Sequence, residues 1–150
     1  MIVLTRVDNR LIHGQIVQGW LPSLDVSEVL IVSPGAEKKE FIKKMLRLSL
    51  PSGYKLTVLG VKEAKKYSEQ SQEKLFVIIE DITSLLEILN EGFDAKIIIL
   101  GNTQFTEGKK QYSQGLFLTD DEVKELKKWE KEKHISFEIR SLPTSLATRL

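Results

Sequence analysis

Short runs of consecutive apolar, β-branched residues alternate along this chain with polar segments whose apolar positions recur at helical spacing. The runs are Ile2 to Leu4 with Val7 continuing it, EVLIVS at 28–33, KLTVL at 55–59, KLFVIIE at 74–80, KIIIL at 96–100, Leu116 to Leu118 and SFEIR at 136–140. Each is strand-length, and most lack the polar alternation of a sheet with one wet face, so both faces are expected to be covered. Between them the spacing predicts helices from about Gln15 to Leu21-Pro22-Ser23, over Glu37–Leu50, from Val61 to about Tyr67, from Asp81 to Asn90-Glu91-Gly92, and from Thr119 onward. Asp81 is placed to cap its helix and Gly92 to end it, while Thr119 with Glu122 forms a capping box. In the second helix Phe41, Ile42, Met45, Leu46 and Leu48 make the apolar face. Lys38, Lys39, Lys43 and Lys44 make the solvated one, with Lys38 and Lys39 also open as a docking surface.

Strand, helix, strand repeated in this way predicts an α/β fold: one three-layer α/β/α domain over 1–150 with a mostly parallel open sheet of six to seven strands. The last run, 136–140, is expected at an edge. Pro34-Gly35 and Pro51-Ser52-Gly53 read as turns, Ser68 to Glu73 as a polar loop, and 101–115 as the longest irregular stretch.

Length and composition narrow the function classes. The 150 residues suffice for one substantial core, with 41% hydrophobic and 29% charged residues, as in globular proteins. A net charge of +1 provides no global field for nucleic acid. Cysteine is absent, which excludes disulfides, thiol catalysis and cysteine-ligated zinc. No run approaches membrane-spanning length and the N-terminus turns polar too soon for a signal peptide. The expectation is a cytoplasmic protein without direct membrane insertion, needing neither cofactor nor metal, and of open oligomeric state.

One stretch concentrates the chemistry. Arg6-Val7-Asp8-Asn9-Arg10-Leu11-Ile12-His13-Gly14-Gln15 joins the first strand to the first helix, at the carboxyl edge where open α/β sheets bind ligands. Guanidinium groups suit phosphoryl oxygens, a helix start adds N–H donors, and imidazole is the one side chain there whose neutral form is nucleophilic near pH 7. His13 is the candidate nucleophile. Arg6 and Arg10 are candidate phosphate ligands, one of which can instead pair with Asp8, and Arg10, within the loop proper, is preferred for the phosphate. Asp8 either fixes the imidazole tautomer or orients an arginine. Gly14 would admit close approach of an anion, and Gln15 either donates its amide to a phosphoryl oxygen or covers the first turn. The 101–111 loop is placed to wall the site, with Lys109 or Lys110 a candidate to steer acidic partners and Lys110 also a candidate phosphate contact. Ser33 and Ser141 are weaker candidates, and His134 is expected to be exposed and idle.

RVDNRLIHGQIVQGW resembles the segment around the phosphorylated histidine in the IIB component of the mannose/fructose/sorbose family of bacterial sugar phosphotransferase systems, and FTEGKKQ at 105–111 and Leu142-Pro143 extend the resemblance. It implies a phosphotransferase with this same three-layer architecture. His13 would accept a phosphoryl group from a IIA protein and pass it to a sugar moving through a IIC/IID permease, behind a small pocket at His13. The chain departs from the family pattern in having Asn102 where a second glycine is common, and in lacking an aspartate after Pro143. A phosphohistidine regulator unlinked to transport, and a flavodoxin-like small-ligand module, are the alternatives. The second is disfavoured by the absence of GxGxxG and GxxxxGK[ST]. The reacting imidazole nitrogen and the sugar are left open.

Overall fold

The computed structural model describes residues 1–150. Seven strands form one sheet in the order β3-β2-β4-β1-β5-β8-β9. They are β1 (Ile2–Asp8), β2 (Glu28–Val32), β3 (Lys55–Leu59), β4 (Leu75–Ile79), β5 (Ile97–Asn102), β8 (Ser136–Ile139) and β9 (Thr148–Arg149). All pairings are parallel except the last, β8 with β9. The central strands β2 and β4 are buried at every position, as their unbroken apolar runs require.

Two apolar layers flank the sheet. One packs α4 (Val61–Gln70), α5 (Ile82–Asn90) and α6 (Asp120–Lys133) through Ala64, Leu85, Ile88, Leu89 and Leu126 onto Val7, Val77 and Ile98. The other gathers Leu11, Ile12, Ile16, Trp20, Ala36 and Leu46 over Ile31, Phe76, Ile78 and Ile99. It is built from the loop after β1, a π-helical segment Gln15–Trp20 that runs into the single turn α1 (Leu21–Ser23), and then α2 (Pro34–Glu37) and α3 (Glu40–Ser49). The predicted caps form as expected. Asp81 Oδ1 accepts from Ser84 N–H at 2.8 Å, both halves of the Thr119/Glu122 box are made, and Gly92 follows α5 with a φ of 92°.

Several expectations need correction. The Pro34-Gly35 turn is the first turn of α2, with proline at its first position and Ser33 as the cap, so α3 starts only at Glu40. The helix after β3 reaches Gln70 rather than Tyr67. The 101–115 stretch is not irregular throughout. Its end pairs as β6 (Lys110–Ser113) with β7 (Leu116–Leu118) in a separate two-stranded sheet, turning at Gln114-Gly115. A two-residue connection ending in glycine is itself a hairpin signal. β8 is not an edge strand, because the two-residue β9 covers it; so short a strand with exposed side chains leaves no hydrophobic pattern to find. Finally, the apolar face assigned to α3 is divided. Ile42 and Leu46 turn toward the core, while Phe41, Met45 and Leu48 lie exposed.

Candidate active site

Period-two alternation along β1 sends Arg6 and Asp8 to the same face of the sheet, the one covered by the π-helical segment. Both are fully buried, near the carboxyl end of a central strand. Leu11 then takes a left-handed conformation, φ 58°, with its side chain in the core, and the chain turns sharply enough to bring His13 back over Asp8. A leucine in that region is strained, and its buried side chain holds the turn in place.

Asp8 is the hub. Its Oδ2 lies 3.1 Å from His13 Nε2, and it also receives Arg10 Nη2 at 2.9 Å and Arg6 Nε at 3.3 Å. Its Oδ1 accepts the Arg10 backbone N–H at 3.1 Å and Arg10 Nε at 3.0 Å. Burial alone would raise this carboxyl's pKa. The hydrogen bonds from His13 and Arg10 and the charge of Arg6 outweigh it and hold the group well below the usual carboxylate range. Asp8 thus contacts both the imidazole and the guanidinium groups, the two partners considered for it.

The arginines differ. Arg6 is 1% exposed; its Nη1 donates to the Arg140 carbonyl at 2.7 Å and its guanidinium lies 5.2 Å from the centre of the Trp20 ring. It has no open face toward an incoming anion, so its assignment as a phosphate ligand is corrected: it is the buried counter-ion of Asp8. Arg10 is 39% exposed and its Nη1 carries no partner within the chain, although the rest of its fork is committed to Asp8 and to the Gln15 side-chain oxygen at 3.2 Å.

His13 is 16% exposed. A carboxylate can only accept, so its Nε2 carries the proton, which leaves Nδ1 unprotonated. Nδ1 accepts the Gln15 backbone N–H at 3.3 Å. Gln15 thus contributes through its main chain, and its amide oxygen steadies Arg10 rather than its amide nitrogen facing an anion. At Gly14 a Cβ would meet nothing within 4 Å, so the protein's own packing does not demand glycine there. The expected small pocket at His13 is not among the principal cavities, whose linings lie elsewhere. The imidazole is mostly covered, with a small part of its edge open to solvent.

Other candidates fall outside this cluster. Lys110 makes no contact with Asp8, Arg10 or His13: it forms an exposed ion pair with Asp120 at 3.0 Å, at the start of α6, and its pKa is raised by that hydrogen bond. Lys109 donates to the Gln104 carbonyl. Ser33 caps α2 and donates to Glu80 at 2.5 Å, and the Ser141 carbonyl, not its hydroxyl, serves the site by accepting from Trp20 Nε1 at 2.9 Å. His134 ends α6 in the left-handed region, φ 57°, and is exposed. Asn102 clasps Asn9 through Nδ2 to Oδ1 at 2.7 Å and through its carbonyl to the Asn9 N–H at 2.9 Å, tying the loop to β5.

The model of the PTS system sorbose subfamily IIB component matches residues 2–149. The chain belongs to that family. It is a IIB component, a phosphocarrier of the sugar phosphotransferase system, and its partners are a IIA protein and a IIC/IID permease. Among its relatives, the sorbose-specific EIIB component of Lacticaseibacillus casei is 29% identical over 126 residues, covering 82% of this chain and 77% of the relative. The N-acetylgalactosamine-specific IIB component 1 of Escherichia coli K12 is 24% identical over 145 residues, covering 95% and 91%. In the mannose-specific EIIAB component of E. coli, whose name joins IIA and IIB, the match spans 147 residues at 25% identity and 45% of that longer chain. The crystal structure of manxB from Thermoanaerobacter tengcongensis superposes with a TM-score of 0.91 at 28% identity, covering 99% of this chain and 92% of that one. No helix of this IIB component is long and apolar enough to cross a membrane.

The residues that sequence reasoning missed are those holding Asp8 and Arg6 from behind. Gly101, at the end of β5, lies directly against the Arg6 guanidinium, and a Cβ there would overlap it. Trp20 covers the same group, and the Arg140 and Ser141 carbonyls fix both. A glycine closing an apolar strand is a signal of close approach; backbone carbonyls leave none.

Proposed function

We propose that His13 Nδ1 is the atom that carries the phosphoryl group. The observation that supports this reading is the His13 Nε2 contact with Asp8 at 3.1 Å: with the Nε2 proton toward the carboxylate, Nδ1 offers its lone pair, held only by the 3.3 Å hydrogen bond from the Gln15 N–H. In the first step Nδ1 attacks the phosphorus of the IIA phosphohistidine, an Nδ1–P bond forms and the donor N–P bond breaks. In the second a sugar hydroxyl in the permease attacks phosphorus, an O–P bond forms, the Nδ1–P bond breaks and the hydroxyl proton is lost. The phosphoryl group in flight is metaphosphate-like, so its stabilisation is chiefly electrostatic. Arg10 supplies its free Nη1 to the equatorial oxygens. The Gln15 N–H, released as Nδ1 bonds phosphorus, turns to one of those oxygens, and the open space beside Gly14 leaves room for them.

Asp8 keeps its distance from the phosphoryl group by lying behind the ring, and two arginines offset its charge. It fixes the tautomer and stabilises the imidazole as positive charge builds during bond formation. An imidazole edge open to solvent suits two successive protein partners, since in-line displacement requires donor imidazole, phosphorus and His13 to align. Residues 1–150 act as one IIB domain, and the relay works in the cytoplasm. The absence of cysteine and the need for a IIA donor support that location.

Incubation with the general phosphoryl donors and a IIA protein tests the assignment. The expected result is an acid-labile, base-stable gain of one phosphoryl group that His13→Ala abolishes and His134→Ala keeps. Labelling that survives in His13→Ala refutes it.

A further inference from the structure

The helix α3 carries a face that the relay does not use. Phe41, Met45 and Leu48, at spacings of four and three, fall on one side of the helix and are exposed, Phe41 by 71% and Leu48 by 82%. Ile42 and Leu46 already anchor α3 to the sheet, so the outer stripe adds nothing to the core. Large apolar side chains exposed together on one helix mark a binding surface more often than scattered single ones do.

The charge around this stripe is uneven. From Glu37 to Leu48 five cations, Lys38, Lys39, Lys43, Lys44 and Arg47, face two carboxylates, so this short segment carries +3 in a chain whose total is +1. The remainder of the chain is net negative. Lys43 is paired with Glu40 at 2.9 Å, whereas the Lys38, Lys39 and Lys44 ammonium groups have no acidic partner and stand exposed.

We propose that α3 docks this protein on an anionic lipid bilayer, with Phe41, Met45 and Leu48 entering the headgroup–acyl boundary and Lys38, Lys39, Lys44 and Arg47 meeting lipid phosphates. An apolar stripe bordered by cations on a helix lying along the surface is the pattern of interfacial binding, and the local charge is complementary to anionic headgroups. Position supports the choice. α2 and α3 follow β2 at the carboxyl edge of the sheet, and α3 lies on the same face as the π-helical segment behind His13. A bilayer under α3 therefore holds the His13 edge near the membrane plane, and raises the local concentration of the carrier at an embedded acceptor. The inference stands apart from the His13 assignment, since lipid binding is measured without any phosphoryl transfer.

Co-sedimentation of the whole chain with phosphatidylglycerol/phosphatidylcholine vesicles, against pure phosphatidylcholine vesicles, tests it. Binding is expected to the anionic vesicles alone and to weaken as salt rises. It should fall about tenfold or more in K44E/R47E and in F41S/L48S, with far-ultraviolet circular dichroism unchanged because all four side chains lie outside the core. No binding to anionic vesicles at low salt overturns the proposal, as does binding that both variants leave intact. Self-association of the wild type that F41S/L48S abolishes, or loss of IIA binding in that variant without any vesicle binding, also overturns it and gives the face to a protein.

Discussion

Asp8 Oδ2 and His13 Nε2 lie 3.1 Å apart, five residues from each other in the chain, and this contact turns Nε2 toward the carboxylate while Nδ1 meets the Gln15 backbone N–H. The carboxylate is fully buried and the ring only partly so, an arrangement that fixes the ring from its inner side and leaves the outer side to partners.

Asp8→Asn is expected to slow acceptance of phosphate from IIA by at least about a hundredfold while the protein remains folded. An amide nitrogen in place of Oδ2 would face the Nε2 proton and force the other tautomer. Single-turnover transfer from phosphorylated IIA measures this, and a rate within a few-fold of wild type would remove Asp8 from the mechanism.

Acid unfolding provides a second test of the same group. The folded-state pKa of Asp8 is depressed, so its stabilising contribution is present above the unfolded carboxyl value of about 4 and is lost as pH falls below it. Denaturant midpoints between about pH 5 and 2 should therefore decline more steeply in wild type than in Asp8→Asn. Parallel curves would show that the ion cluster contributes nothing to folding.

Arg6 and Arg10 separate structure from chemistry. Arg6→Met is expected to cost about 3 kcal/mol in urea unfolding, because a buried carboxylate loses its inner partner. Arg10→Met should cost no more than about 1 kcal/mol, since that pair is partly exposed, yet slow transfer clearly. Arg10→Lys should restore transfer only in part, since the fork geometry is lost. Equal stability losses for the two, or normal transfer in Arg10→Met, would contradict the division.

The glycines divide in the same manner. Gly101→Ala should destabilise by about 1–3 kcal/mol, because its methyl displaces the Arg6 guanidinium. Gly14→Ala, with a φ of −52° and open space around it, should leave stability within about 0.5 kcal/mol and slow transfer by crowding the phosphoryl oxygens. Gly14→Ala with unchanged kinetics would show that the opening is not used.

Much of this was legible in the sequence because the physics was local. Unbroken apolar runs announced buried parallel strands, Asp81 and Thr119 announced helix starts, and the Arg6-to-Gln15 segment gathered its charged groups within a few residues. What escaped depended on contacts distant in sequence. Nothing near Arg6 indicates that the carbonyl 134 residues away at Arg140 would satisfy it, or that Trp20 would lie over its plane. Arg6 and Asp8 share one face of β1, yet with the end of the strand open in the sequence either arginine could be paired with Asp8 there. The lysine in FTEGKKQ was attractive by charge alone, and the Asp120 partner that occupies it became visible only with the hairpin folded. In α3, helical spacing identified the apolar residues correctly but not which of them the sheet has room to cover.

The most direct measurement is heteronuclear NMR of the imidazole nitrogens, with phosphorus coupling, in the protein phosphorylated by IIA. The account predicts one phosphoryl group on His13 Nδ1, with Nε2 still protonated and hydrogen-bonded. Phosphorus coupled to Nε2, or a phosphorylated residue other than His13, would contradict it.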